Sequence, residues 1–250
     1  MTTAADHELD NAVLHSLLGR HRNIALRDGR VARFAPDVGP FMAVPDDAED
    51  ADWQALARLT RGVPGLLFRP TSDLPADWKV LHQIDGLQMV GLRTRAWTAD
   101  DVSVLGPADV PDMLALAAVT SPGPFFARTA ETGTYLGIRK EGRLVAMAGE
   151  RLQTDHWVEV SAVCTHPDWR GHGYATKLVA ALADHIRRRG KEPFGHVVGE
   201  NTSALRLYEE LGCEVRRSVQ ATEAVPLSTA PAGDSPSVVG VTAPALADET

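Results

Sequence analysis

The stretch "HPDWRGHGYATKLV", His166 to Val179, constrains this chain more than any other. An alternating apolar run, "HWVEVSAVCT", precedes it and a helix-periodic segment follows, so a strand must become a helix within a few residues. Glycine costs conformational entropy at such a junction, yet Gly171 and Gly173 stand there beside Arg170, His172 and Tyr174. Bare backbone is useful where N–H groups must approach a ligand. The first N–H groups of a helix lack intrahelical acceptors and carry the positive end of its dipole, so an anion suits them. Arg170 adds a cation and Thr176 a hydroxyl. No Gly-Lys-Ser/Thr follows, as a Walker loop requires, and the spacing is not GxGxxG with a later acid. A nucleoside triphosphate or dinucleotide is disfavoured. The same glycines would also serve a plain structural turn.

Strand and helix patterns alternate on either side of this junction. A helix is expected from Asp6 to Leu18, with Gly19 as its stop. A hairpin about Asp28-Gly29 follows within Asn23 to Ala35. Phe41 to Val44 reads as a strand, Ala51 to Leu59 as a helix, and "PGLLFRP" and "WKVLHQIDGLQMVGLR" as strands. The pattern restarts near Trp97. "GPADVPDMLALAAVT" is a helix with Val110, Met113, Leu114 and Ala117 on one face, and the turn-rich "SPGPFFARTAETG" comes next. "TYLGIRK" and "RLVAMAGERL" form a hairpin through Glu141-Gly142, and "HWVEVSAVCTHP" leads into the glycine loop. A long helix from Tyr174 to Arg189 precedes the strand "PFGHVVGE", the helix "NTSALRLYEELG" and the strand "CEVRRSV". Past about Ala221 the chain has no aromatic residue, Lys or Arg, and carries Pro226, Pro231, Pro236 and Pro244. Such a segment cannot bury enough apolar surface to offset its ordering entropy. Three parts are expected: residues 1–95 as an α/β region without a catalytic motif, 96–220 as the working domain, and 221–250 as a disordered tail.

A formal net charge of -8 disfavours nucleic acid or an anionic membrane as the main partner. Only Cys164 and Cys213 are present, without CxxC spacing, so neither a disulfide scaffold nor a zinc site is expected. The acidic run from Asp46 to Asp52 reads as a solvated loop and helix N-terminus rather than a metal cluster. The N-terminus lacks a signal-peptide pattern, and no stretch approaches the roughly 20 apolar residues of a membrane span. A cytoplasmic protein is the expectation.

The glycine loop has company. Arg170-Gly171-His172-Gly173-Tyr174-Ala175 resembles the Arg/Gln-x-x-Gly-x-Gly/Ala loop of the GCN5-related N-acetyltransferases (GNATs), FR47-like branch. Asn201, Ala204, Tyr208 and Gly212 in "NTSALRLYEELGCE" fall at the family's spacing, and the order of elements from Asp101 to Val219 also fits. The resemblance covers roughly the C-terminal half. It implies an α/β (α+β) fold: a mixed, mostly antiparallel sheet flanked by helices, with residues 1–95 as a degenerate GNAT-like region. Two departures stand out. Cys213 replaces the usual Phe, and the final strand of the usual fold is hard to find in the proline-bearing tail.

The resemblance also implies a reaction. An acetyl group would pass from acetyl-CoA, used as cosubstrate without a metal, to the primary amine of a small molecule or peptide. The pyrophosphate would sit on Arg170, Gly171, His172, Gly173, Tyr174, Ala175 and Thr176. The pantetheine arm would lie along Val163, Cys164 and Thr165, with Asn201 and Ala204 contacting the cofactor. Tyr208 is the family-matched acid for the leaving thiolate, though an aromatic that only packs against the cofactor fits the same position. Asn201 would equally serve as a helix N-cap. Glu159 and Glu150 are the base candidates, since a charged residue inside an apolar strand invites a functional reading; an exposed sheet face or a salt bridge explains either acid as well, and His166, His172 or a water-mediated base could serve instead. Alternation puts Glu159 on one face with Trp157 and Ser161, four residues before Val163. Cys164 as a nucleophile competes with a buried, inert thiol. Phe125, Phe126 and Arg128 would line the acceptor cleft. A monomer or homodimer, a non-catalytic CoA-binding sensor on the same fold, and a longer acyl donor all remain open at this point.

Overall fold

The computed structural model describes residues 8–70, 73–93, 101–198 and 201–227. The chain opens with α1 (Ala12–Leu18), the short strands β1 (Ala25–Asp28), β2 (Val31–Phe34) and β3 (Met42–Ala43), and α2 (Asp50–Thr60). Strands β4 (Gly65–Arg69), β5 (Trp78–Val90) and β6 (Val102–Leu105) lead to α3 (Val110–Thr120). Then come β7 (Tyr135–Lys140), β8 (Arg143–Gln153), β9 (Trp157–Thr165), α4 (Tyr174–Arg188), β10 (Glu192–Val198), α5 (Thr202–Glu210) and β11 (Glu214–Pro226).

Eight strands form one mixed sheet in the order β4-β11-β5-β10-β9-β8-β7-β6. Every neighbouring pair is antiparallel except β9 with β10. Strands β1, β2 and β3 form a separate small antiparallel sheet. Helix α4 runs back across the large sheet and buries Leu178, Val179, Leu182 and Ile186 against β7, β8 and β9. Each such fully buried side chain contributes about 1.5–3 kcal/mol of transfer free energy, which is why this long amphipathic helix docks. Helix α3 covers Met147, Ala162 and Cys164 with Met113, Leu116 and Ala117. Leu116 rather than the expected Leu114 faces inward there.

The mixed sheet flanked by helices is the expected fold class. The final strand of the usual fold, hard to find in the tail's sequence, has a counterpart from earlier in the chain, because β5 lies between β10 and β11. The last strand runs to Pro226 rather than stopping at Val219, so Ala221–Pro226, expected in the tail, are strand residues paired with β4 and β5. Strand pairing accounts for this: Ala224 is buried over Trp53 and Trp78, and Pro226 sits at the strand's terminal register position. The expected boundary at residue 95 and the tail from residue 228 onward lie outside the described residues.

Candidate active site

Strands β9 and β10 pair only where Trp157, Val158 and Glu159 meet Glu192, Pro193 and Phe194. Beyond that point β9 continues to Thr165 and β10 to Val198, yet the two make no further ladder pairs among the described residues. The sheet opens into a V. The other edge of β9 stays paired to β8 as far as Thr165, so from Val160 onward β9 presents one unpaired edge to the opening.

A bulge lies in that stretch. Cys164 pairs with Met147 and Ser161 with Gly149, leaving Ala162 and Val163 opposite Ala148. Ala162 takes a left-handed φ of 52°. Simple alternation would put Val163 on the face of Glu159, but the bulge reverses it. Val158, Val160 and Val163 share the core under α4, whereas Ala162 and Cys164 pack against α3. The Cys164 thiol is buried, and burial pushes its pKa up to about 11. That describes an inert side chain, so only its backbone belongs to the open edge.

The loop follows directly. Pro167–Trp169 form a single 3₁₀ turn, and Gly171 and Gly173 have φ of 75° and 71°, with Gly173 capping α4. A Cβ at either glycine would meet nothing within 4 Å. Glycine is required here by backbone conformation and not by packing, and the space in front of it is open. No acceptor among the described residues binds the backbone N–H groups of Gly171 through Thr176. Arg170 is exposed beside them and has no carboxylate partner among the described residues. His172 is not free to meet a phosphate through Nδ1. That atom lies 2.8 Å from the Arg170 carbonyl and 3.1 Å from that of Trp169, so it donates to them. The ring stacks on Tyr174 with centroids 5.5 Å apart. His172, though exposed, therefore braces the loop, while the N–H groups of Gly171 through Thr176 stay bare beside Arg170.

Tyr208 spans the V from the α5 side. Its ring packs over Gly195 of β10, where a Cβ would come within 3.2–3.3 Å of it, and its hydroxyl donates to the Val160 carbonyl of β9 at 3.4 Å. Burial, with the charge of Glu159 nearby, pushes its pKa up, so the phenol keeps its proton. Asn201 caps α5, its Oδ1 accepting from the N–H of Ala204 at 2.9 Å. The N-cap role is thus occupied, and Ala204 packs partly buried against the core.

Neither expected base is placed to act as one. Glu159 is fully buried, and its oxygens take the guanidinium of Arg151 (Nε at 2.7 Å) and His196 Nδ1 (2.7 Å). Burial alone would raise its pKa; Arg151 and His196 outweigh that and hold it at about 2. Glu150 is also fully buried, paired with Arg189 and accepting from the N–H of Thr134 at 3.2 Å and from Gln153 at 3.1 Å. The salt-bridge reading holds for both. The acceptor loop differs as well. Phe125 packs edge-on to Tyr135, and Arg128 is taken up by Glu131 at 2.7 Å and Asp37 at 3.2 Å, tying the loop to the N-terminal part. Sequence reasoning missed Arg151 and His196. The signal was available: each is a charged or titratable residue within an apolar strand, the same pattern that drew attention to Glu159.

A split parallel strand pair, a bare helix N-terminus beyond the end of one strand and a buried phenol across the split have the shape and polarity to suit an extended ligand with an anionic group. Comparison with known proteins gives the family. Residues 135–222 match the FR47-like protein family. The chain is 36% identical to a GNAT-family protein of Novosphingobium aromaticivorans, over 88% of this chain and 99% of that one, with a TM-score of 0.81. A GCN5-related N-acetyltransferase from Kribbella flavida shares the fold at 18% identity, over 85% of this chain and 95% of that one, with a TM-score of 0.58. A search of curated proteins finds no match. The chain belongs to the GCN5-related N-acetyltransferases, a family of N-acyltransferases.

Proposed function

We propose that this protein transfers an acetyl group from acetyl-CoA to the primary amine of an acceptor by direct attack on the thioester. One observation carries the reading: the unpaired edge of β9 leads, through a single 3₁₀ turn, to the unpartnered N–H groups of Gly171 through Thr176. A pyrophosphate on those N–H groups and beside Arg170 would leave its arm lying along the backbone of Val163 and Thr165. The thioester then reaches the opening of the V, beside Tyr208. The acceptor enters as a neutral amine, its nitrogen bonds to the carbonyl carbon, and the carbon–sulfur bond breaks as the tetrahedral adduct collapses. Tyr208 offers its hydroxyl proton to the departing sulfur, which a neutral phenol can do. With Glu159 and Glu150 locked in ion pairs, the proton shed by the amine leaves through water.

The test is thiol release from acetyl-, propionyl- and benzoyl-CoA against amino acids, polyamines, aminoglycosides and peptides. Release that needs both acetyl-CoA and one class of amine supports the proposal. Tight CoA binding with no thiol release across the panel would make the protein a sensor instead. Turnover confined to the longer donors would move the assignment to another acyl group.

A further inference from the structure

A row of polar side chains crosses five neighbouring strands on the face of the sheet turned toward α1, with one link from each strand in spatial order. Arg151 of β8 donates to Glu159 of β9, and His196 Nδ1 of β10 donates to the same carboxylate. Gln88 of β5 donates from Nε2 to His196 Nε2 at 3.2 Å and to the Leu9 carbonyl at 2.9 Å. Arg216 of β11 donates to Gln88 Oε1 at 2.8 Å and to Asp10 at 2.8 Å, and Arg217 reaches the same Asp10 oxygen at 2.8 Å. A bulge in β11 sets Arg216 and Arg217 together opposite Gln88, which is how consecutive arginines converge on one acid.

Arg216 and the Leu9 carbonyl orient the Gln88 amide, so its nitrogen faces His196 Nε2. Nδ1 of the same ring donates to Glu159. Aromatic faces close the row: the Arg151 guanidinium lies 4.6 Å from the Phe41 centroid and 5.6 Å from that of Phe68, and Phe68 lies 4.8 Å from the His196 ring. A charged network sealed in this way is rigid only while every member has its partner.

Its location gives it a role. Backbone pairing between β9 and β10 ends at Glu159 and Phe194. The Glu159–His196 bond lies at and just past that point, joining strands whose ladder has stopped. One residue further along β9, the Val160 carbonyl receives Tyr208. We propose that Glu159 and His196 are positioning residues: their bond sets the separation of β9 and β10 at the mouth of the V and so places the thioester for attack. Only the kinetic part rests on the acyl-transfer reading.

His196→Leu, His196→Asn and Glu159→Gln in the full chain test this, with Arg151→Met/Glu159→Gln added because the single change strands a buried guanidinium. Asn can present an N–H where Nδ1 stands; Leu cannot. Amide hydrogen exchange of the ligand-free protein is the first measurement. His196→Leu should speed exchange over residues 160–165 and 195–198 while β6 and β7 keep their protection, and His196→Asn should restore most of it. In turnover, His196→Leu should lower kcat/KM by about a hundredfold, the scale of a small misplacement of reacting groups, without moving the apparent pKa values of the pH profile. Unchanged exchange in His196→Leu would overturn the proposal. So would loss of the acidic limb in Glu159→Gln or in the double variant at unchanged exchange, because Glu159 would then be the base. A wild-type chain that neither binds nor turns over acetyl-CoA, but loosens as described in His196→Leu, would refute the acyl-transfer reading and leave the positioning role standing.

Discussion

Gly173 and Gly142 make a matched pair. Their φ angles are 71° and 78°, and a Cβ at either would meet nothing within 4 Å. Replacing either with an L-residue therefore costs backbone strain alone, about 1–2 kcal/mol for left-handed geometry. The two should lose the same stability in urea. Their effects on CoA binding should differ entirely. Gly142 lies in the β7–β8 turn, whereas Gly173 heads the helix whose open N–H groups are assigned to the pyrophosphate. A Glu at 173 adds a carboxylate near phosphate oxygens. At about 4 Å and an effective dielectric of about 20 the repulsion is about 4 kcal/mol; solvent screening at this exposed site leaves about half of that or less. About 2 kcal/mol corresponds to about a thirtyfold loss of affinity, and the intruding side chain adds to it. Calorimetric titration with CoA should therefore show Gly173→Glu binding about thirtyfold more weakly than Gly142→Glu. Equal affinities in the two variants would remove the pyrophosphate from the loop.

Three further expectations follow from single side chains. Tyr208→Phe should cut turnover about a hundredfold, the lower end of what a general acid supplies, while CoA affinity stays level; full activity in that variant would leave Tyr208 as packing only. Asn201→Ala removes the cap on Ala204 and should cost about 1 kcal/mol of stability. A drop in CoA affinity beyond what a small stability loss explains would show a contact to the arm as well. Buried His21 accepts from Ser16 at Nδ1 (2.8 Å) and donates from Nε2 to the Thr132 carbonyl (2.8 Å), and burial lowers its pKa from 6.5 to about 4. The unfolded chain takes up a proton that the folded one resists, so this contribution is whole above pH 6.5 and fades as pH falls toward 4. It amounts to about 3 kcal/mol. Urea midpoints at pH 7 and 4.5 should fall further in wild type than in His21→Gln, and parallel falls would refute the assignment.

The parts legible in the sequence were those governed by local chemistry. Glycines at a strand-to-helix junction, a cap at Asn201 and the periodicity of α4 each depend on residues within one or two turns of each other. The failures were non-local. Nothing near Val219 indicates that β11 continues to Pro226, because the partners that stabilise it, β4 and β5, lie more than a hundred residues earlier. The partners of the base candidates were hidden for the same reason. Glu159 in an apolar strand reads as reactive until Arg151, eight residues back across a hairpin, and His196, on the next strand, are seen on its oxygens. Alternation misplaced Val163 because one extra residue at Ala162 reverses every side chain after it, and bulges leave little trace in hydrophobicity.

The missing catalytic motif in the N-terminal part now has a physical explanation. A sheet that splits gives up its backbone hydrogen bonds at the place where it opens. Side chains must then join the two strands, and the join found here is a hydrogen bond from His196 to the buried Glu159 carboxylate. Buried charges at that position need cover from water and a partner for every polar atom. The N-terminal part supplies both: Phe41 and Phe68 over Arg151, the Gln88 amide on His196, the Leu9 carbonyl on Gln88 and the Asp10 carboxylate on Arg216 and Arg217. None of these residues belongs to a catalytic motif, because what is needed of them is shape, polarity and register. The strand β5 that carries Gln88 also lies between β10 and β11 in the sheet. One strand thus both extends the sheet and orients the imidazole that bonds across its opening.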